Sequence, residues 1–491
     1  YDDKPTNPFF HFFSFFQLEF CSFDSDAPGD LVQEAMGNFG PWHLLIVISL
    51  SLVKFPVAWH QLSIVFLAPN TKFDCALPKI GNGSSNMLKC LEFDYDKSIF
   101  TTSIVTEWDL VCERKQLANL LQTVTMFGVL VGNMVFGMIA DRIGRKTPLV
   151  MAVLLQSLTG LASAFAPWYE LFLLLKFIAA VATGGTMLTS FVLIMEIVGV
   201  KWRPICSVLF HVPFILGHMI SALISYLTRT WSGYQIAISI PSILLIIPES
   251  PRWLLAVGKI YKAEEILIKA ANRNKISLDK VREAIDAHEN LLIDRDVKET
   301  TSKKYNITHL FRTPNLRIKT LCICVNWLTC GICFFGLTHY VGTLSGNIFL
   351  NVAASTAMEL PGSILVLYMI SRVSRLKILI GGNLLSGISL LLLTFVINNS
   401  TAKICLATLG LIGMSISFPT VYLYSTEAFP TVVRNVGLGL ASLCARMGSM
   451  VAPFIVSSVR PLIGAGLCLL LPETMDCDLP QTIEDGENFG K

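Results

Sequence analysis

Twelve apolar runs, bounded by charge or by glycine, proline and asparagine, succeed one another along the chain. They lie at about 42–64, 117–140, 148–166, 170–197, 204–227, 231–247, 317–340, 347–370, 376–397, 403–426, 435–458 and 459–471. A helix of about 20 residues, at 1.5 Å per residue, crosses a ~30 Å hydrocarbon core. Helices also satisfy their own backbone polar groups, as a lipid surrounding requires. The runs therefore specify an all-α membrane protein with the lipid bilayer as its first partner. Only 15% of residues are charged, against about 25% in soluble domains, which excludes a soluble multidomain enzyme. The 38 basic and 35 acidic residues leave a net charge of +3, and no basic face suited to a nucleic acid is apparent in that balance.

Charge placement orients the runs. Arg142, Arg145 and Lys146 follow the second run, Lys201 and Arg203 the fourth, Arg372, Arg375 and Lys377 the eighth, and Arg434 the tenth. Basic connections stay in the cytoplasm, which puts both termini there. The sequons at Asn82, Asn398 and Asn399 then fall outside the cell and Asn306 inside, so only the first three are glycosylation candidates. Residues 1–41 read as an N-terminal cytosolic segment, whose Phe-rich stretch at 9–23 lacks the basic region of a signal peptide. A six-helix bundle occupies 42–247, with an extracellular loop at 68–116. The cytosolic linker at 248–316 carries one amphipathic helix from Lys259 to His288, a second bundle covers 317–471, and 472–491 form a cytosolic tail. The last run, Val459 to Leu471, is 13 residues, about 20 Å of helix, too short to cross.

Of 13 cysteines, Cys75, Cys90 and Cys112 lie in the outer loop. Three thiols allow one disulfide and leave one free, a route to a homo-oligomer through that loop. Cys330 and Cys333 form a Cys-x-x-Cys inside a helix with no second ligand pair at metal spacing, so no metal and no cofactor are expected.

Gly137-Met-Ile-Ala-Asp141-Arg142-Ile-Gly144-Arg145-Lys146 closes the second run. Its Asp141 suits an Arg or a helix N-terminus as partner, joining helices in one conformation and releasing them in another; the plainer reading is a stop-transfer cluster. A phosphate-binding loop is excluded because no glycine stands five residues before a Gly-Lys-Ser/Thr. Together with Ser103-Ile-Val-Thr-Glu107-Trp108-Asp109-Leu-Val-Cys112, Glu196, Arg203, Pro248-Glu249-Ser250-Pro251-Arg252-Trp253-Leu254, Glu427-Ala-Phe-Pro430-Thr-Val-Val-Arg434-Asn435 and Leu471-Pro472-Glu473-Thr474, this motif resembles the organic cation, anion and carnitine transporter family of the major facilitator superfamily. The resemblance covers about residues 30 to 485. It implies a plasma-membrane carrier with two six-helix bundles around a central cavity that opens alternately to either side. By position, Asp141, Arg142, Arg145, Glu196, Arg203, Glu249, Arg252, Glu427 and Arg434 form its inner gate. The second-half turn, Ser371-Arg372-Val-Ser-Arg375-Leu-Lys377, has no acid, which implies weaker pairing there.

Arg446 stands about 18 Å along the eleventh run from Arg434, at the bilayer midplane. A central Arg costs ~2.5–3.5 kcal/mol on insertion scales, and a carboxylate offsets that cost. Substrate or Glu359 is the expected source. By the resemblance, anion and carnitine carriers place Arg at this position and cation carriers an acid. Trp327 and Phe334 share a helix face, and with His211 and Phe214 they match the family's cavity aromatics. Such a wall holds a quaternary ammonium by cation–π attraction of ~0.5–2 kcal/mol. Lys54 lies at mid-membrane, with a cavity or ion-pair role. His60, His211 and His218 are titratable, a structural hydrogen bond being the plainer reading of each.

These features favour alternating-access transport of small organic ions, either carnitine-like zwitterions or organic anions, with Na+ or H+ as the candidate coupling ion. An organic cation carrier is the alternative, and a transport-inactive scaffold or sensor is the alternative of another class. A channel is disfavoured by the absence of a filter-like repeat, and an enzyme by the absence of any nucleophile, base and oxyanion grouping.

Overall fold

The computed structural model describes residues 31–37, 39–79, 89–199, 202–240, 248–287, 308–344, 346–370, 372–396, 399–430, 433–454 and most of 466–489. The first half supplies α1 (Pro41–Leu62), α2 (Lys115–Ile143), α3 (Lys146–Ser163), α4 (Tyr169–Ile197), α5 (Ile205–Thr228) and α6 (Trp231–Ser239). The second half supplies α7 (Pro314–Thr343), α8 (Ile348–Met369), α9 (Arg375–Phe395), α10 (Ser400–Ala428) and α11 (Arg434–Val451). Eight helices among the described residues are long and apolar enough to cross a membrane. Most of the short twelfth run lies outside the described residues.

Lipid provides little hydrophobic drive between helices, so close backbone approach through small residues does that work. A Cβ at Gly132 of α2 would sit 1.9 Å from the carbonyl oxygen of Val181 in α4, and one at Gly184 would sit 2.3 Å from that of Val129. The second half repeats the device between α7 and α11, where a Cβ at Gly331 would sit 2.1 Å from the Ala445 carbonyl oxygen and one at Gly448 would sit 2.3 Å from that of Leu328.

The outer loop, in which no strand was foreseen, has regular structure. It contains an antiparallel pair, β1 (Phe73–Lys79) and β2 (Lys89–Tyr95), with Cys75 facing Phe93 and a register shift beyond it. Phe73, Phe93 and Tyr95 cluster at 5.4–6.1 Å between ring centroids, cross-strand contacts of the kind that stabilise a short sheet. Downstream, Trp108 packs on Tyr169 and Phe172 of α4 and Trp231 of α6, which anchors the loop to the bundle.

The linker also differs from expectation. Its single amphipathic helix is two helices, Ile260–Asn274 and 278–287. Lys275 adopts a left-handed conformation, φ +58, and Ile276 donates its N–H back to Ala271 at 2.9 Å, a helix-terminating turn. Asn274 accepts the N–H of Trp42 at 3.0 Å and donates to the carbonyl of Met36 at 2.8 Å. The linker is thereby fastened to the start of α1 and to the short helix Leu31–Met36.

Candidate functional site

Two polar nodes occupy the end of the molecule where α2 and α10 finish. In the first, the Arg145 guanidinium bridges Asp141 at 2.7 Å and Glu196 at 2.9 Å and also donates to the carbonyl of Ala140 at 2.6 Å. Glu249 accepts the backbone N–H groups of Arg145, Lys146 and Ser250 at 2.7–3.1 Å. Gly144 makes this fit possible: its φ is +106, and a Cβ there would lie 2.5 Å from the Glu249 carboxylate. In the second node Arg375 pairs with Glu427 at 3.4 Å. Glu473 accepts the N–H groups of Arg375 and Leu376 at 3.1 and 3.3 Å, and the hydroxyl of Ser374.

The nodes are the same construction twice, with Arg145, Glu196 and Glu249 answered by Arg375, Glu427 and Glu473. The acids of the second half come from α10 and the segment after the twelfth run rather than from the turn, and the pairing is the weaker expected there: Arg375 meets one carboxylate at 3.4 Å where Arg145 meets two at 2.7 and 2.9 Å. Sequence reading missed Arg375 and Glu473 as members. The signal was present, since Arg145 and Arg375, like Glu196 and Glu427, stand about 230 positions apart, as an internal repeat requires.

Among the other expected gate residues, Arg434 is near enough to feel the charge of Glu427 in the second node. Arg203 donates to the carbonyl of Met195 at the end of α4 and Arg434 to that of Phe429 after α10, at 3.1 and 3.3 Å. Arg252 reaches Gln33 at 3.3 Å. Arg142 is exposed.

Between the bundles lies a narrow cavity of about 40 Å³ lined by Lys54, His211, Trp327, Phe418, Tyr422 and Arg446, with Asn133 and Met187 among further residues. Arg446 is 5% exposed and Lys54 2%. Trp327 donates Nε1–H to Ser425 at 2.9 Å and packs tilted against Tyr422 and edge-on to Phe418, at 4.9 and 5.9 Å between ring centroids. His211 meets Phe418 edge-on at 6.3 Å. The Lys54 ammonium sits 4.1 Å from the Phe210 ring centroid. Arg446 touches the sulfur of Met187 at 3.3 Å, and its Nε has no hydrogen-bond partner.

Glu359 is buried in α8 and its Oε1 lacks a hydrogen-bond partner. It does not line this cavity, and the ion pair expected with Arg446 is not formed among the described residues. Phe334 touches the edge of the site through Phe418 at 6.4 Å. Phe214 instead packs with Leu62, Met126, Phe335 and Ala452. Tyr422, Phe418, Asn133 and Met187 were not foreseen, because apolar and amide residues at helical spacing look like ordinary packing until their neighbours are known.

Three further expectations meet structure. Cys75 is disulfide-bonded and Cys112 is a free, exposed thiol; the Cys90 side chain lies outside the described residues. Asn399 is exposed and accepts the N–H of Ala402 at 3.1 Å as the N-cap of α10, while Asn82 and Asn398 lie outside the described residues. His218 bonds Thr356 across the bundles at 3.1 Å, the structural role expected of a histidine.

Residues 86–471 match the family model described as sugar (and other) transporter. The organic cation transporter protein of Drosophila melanogaster is 34% identical, the alignment covering 93% of this chain and 94% of the relative. The chain belongs to the organic cation and anion transporter family of the major facilitator superfamily. Organic anion transporter 3 of Oryctolagus cuniculus, at 30% identity, covers 93% of both chains. The inward-open xylose transporter XylE from E. coli superimposes with a TM-score of 0.65 at 15% identity, covering 91% of this chain and all of its own. The chain is thus a multi-pass membrane transporter with the superfamily's fold, and it is not an enzyme.

Proposed function

We propose that this transporter carries small organic anions or carnitine-like zwitterions across the plasma membrane by alternating access, with both termini cytoplasmic. The observation that carries the reading is the charge of the cavity: two buried cations, Lys54 and Arg446, and no carboxylate among its lining residues. A substrate carboxylate on Arg446 forms charge-assisted hydrogen bonds, which are stronger than neutral ones. Placed between α1 and α11, it also offsets the repulsion between the two side chains, so the loaded carrier closes more readily than the empty one. The Trp327, Phe418 and Tyr422 rings supply the face against which a quaternary ammonium of a zwitterion rests. The two nodes at the Arg145 end hold helix ends together and release them when that side opens. Na+ or H+ is the coupling ion to be tested.

The organic cation named in the Drosophila relative's description gives the second reading. The aromatic wall suits it, and the buried cations oppose it.

Uptake of labelled carnitine, a simple cation and a simple dicarboxylate, each with and without sodium, separates these readings in one cell line. Arg446→Ala at equal surface expression is expected to raise KM for the carboxylate substrate roughly ten- to hundredfold, the equivalent of about 1.5–3 kcal/mol for a hydrogen bond to charge. Unchanged carboxylate uptake by that variant rejects the reading. Saturable uptake of the cation alone favours the second, and no saturable flux of any organic ion favours a scaffold or sensor.

A further inference from the structure

A second buried cation cluster lies inside the first bundle, apart from the central cavity. Lys176 of α4 is 2% exposed, and its ammonium donates to Ser63 Oγ at 3.0 Å and to Gln235 Oε1 of α6 at 3.2 Å. Both acceptors are neutral. An ammonium has three N–H donors, so one remains, and no carboxylate pairs with Lys176 among the described residues.

Three of the neighbouring polar groups donate elsewhere. Ser63 donates to the carbonyl of His60 at 3.0 Å, Gln235 donates to that of Gly160 at 3.2 Å, and Ser239 donates to that of Gln235 at 2.7 Å. The exception is His60 of α1. It is 3% exposed, neither ring nitrogen has a hydrogen-bond partner, and its ring is near enough to feel the charge of Lys176. This overturns the plain structural hydrogen bond expected of that histidine. Gly160 of α3 lets the ring pack against its backbone, since a Cβ there would meet His60 Cε1 and Ser239 Oγ at 2.6 Å each.

A buried ammonium and an unsatisfied imidazole in a water-poor bundle, with no acid to answer them among the described residues, are a half-built ion pair. A buried charge is kept only where something neutralises it. We propose that Lys176 and His60 form a binding site for a small monovalent anion of halide size, which completes the first bundle and does not move with the substrate. Gly160 and Ser239 lie close about the His60 ring, which favours a single atom over an organic carboxylate. The site is independent of the cavity reading, because it shares no residue with it.

The test is thermal unfolding of the purified full-length chain in detergent, in sodium gluconate against sodium chloride or bromide at equal ionic strength. The unfolding temperature is expected to rise saturably with halide. Lys176→Met is expected to abolish the rise, and Gly160→Ala to weaken it by displacing the His60 ring while leaving the charge. Arg446→Ala should retain it, which separates failure here from failure of the substrate reading. Because a lysine variant can misfold, crystals of the unmodified chain grown in bromide give a second readout: an anomalous peak beside Lys176 Nζ supports the site. Equal unfolding temperatures in halide and gluconate, a halide response that survives Lys176→Met, or no bromide peak there would each overturn it.

Discussion

At the residue scale, the most exacting contacts are carboxylates on backbone N–H groups. Glu249 and Glu473 each accept consecutive N–H groups at the start of a helix, where the helix dipole also favours negative charge. The sequence showed Glu249 through its Pro-Glu-Ser-Pro-Arg context and hid Glu473, which stands in a shorter match and beyond a stunted run. Glu473→Gln keeps the shape of the side chain and removes its charge. It is expected to cost about 1–2 kcal/mol, taking each hydrogen bond to a charged group as ~1.5–3 kcal/mol and the neutral replacements as ~0.5–1.5. The check is thermal unfolding of the purified protein beside Glu249→Gln; equal cost in the two variants is the outcome the repeated construction requires. Arg446 was legible because an ionisable group at membrane depth stands out by its residue type alone. Its neighbours Met187 and Tyr422 were not, since they come from two other helices and no local pattern joins them.

At the element scale, helix boundaries followed the apolar runs to within a few residues, because lipid tolerates few polar side chains and those mark the ends. The outer hairpin escaped notice, as its strands are short, charged and interrupted by a proline. The linker break at Lys275 escaped too, since a left-handed lysine has no sequence signal comparable to glycine. Packing between elements is set by the glycines. Gly132→Val places methyl groups where the Val181 carbonyl already lies at 1.9 Å from a bare Cβ position, so α2 and α4 must separate. Overpacking of this kind costs ~1–3 kcal/mol or more, and the expected result is loss of surface expression measured by surface labelling. Gly381→Ala is the matched control, because a Cβ there meets nothing within 4 Å and Ala favours the helix by ~1 kcal/mol. Normal expression of Gly132→Val would show that the close approach is not needed.

At the scale of the whole molecule, the two bundles meet near the sheet end through Phe349 of α8. Its ring packs on Phe66 beyond α1, on Phe100 in the outer loop and on Tyr226 of α5, at 6.3, 5.2 and 5.5 Å. Thr123 of α2 also donates to the Met450 carbonyl of α11 at 2.9 Å. Phe349→Ala removes the ring common to these contacts and is expected to let that end open more often. A cysteine placed at Ser442, on the cavity wall, should then react severalfold faster with a polar thiol reagent than in the parent, after subtraction of the background from native cysteines. An unchanged rate means that the aromatic contact does not hold the bundles. The sequence by itself determined the membrane environment, the spans and the family, because periodic apolar runs and ordered short motifs are local and survive without knowledge of neighbours. Only the tertiary structure decided which charges meet. It paired Arg375 with acids from distant segments, left Glu359 and Arg446 apart, and gathered Lys54 and Arg446 on one cavity, because electrostatic partnership depends on distances of a few ångströms between helices hundreds of residues apart in the chain.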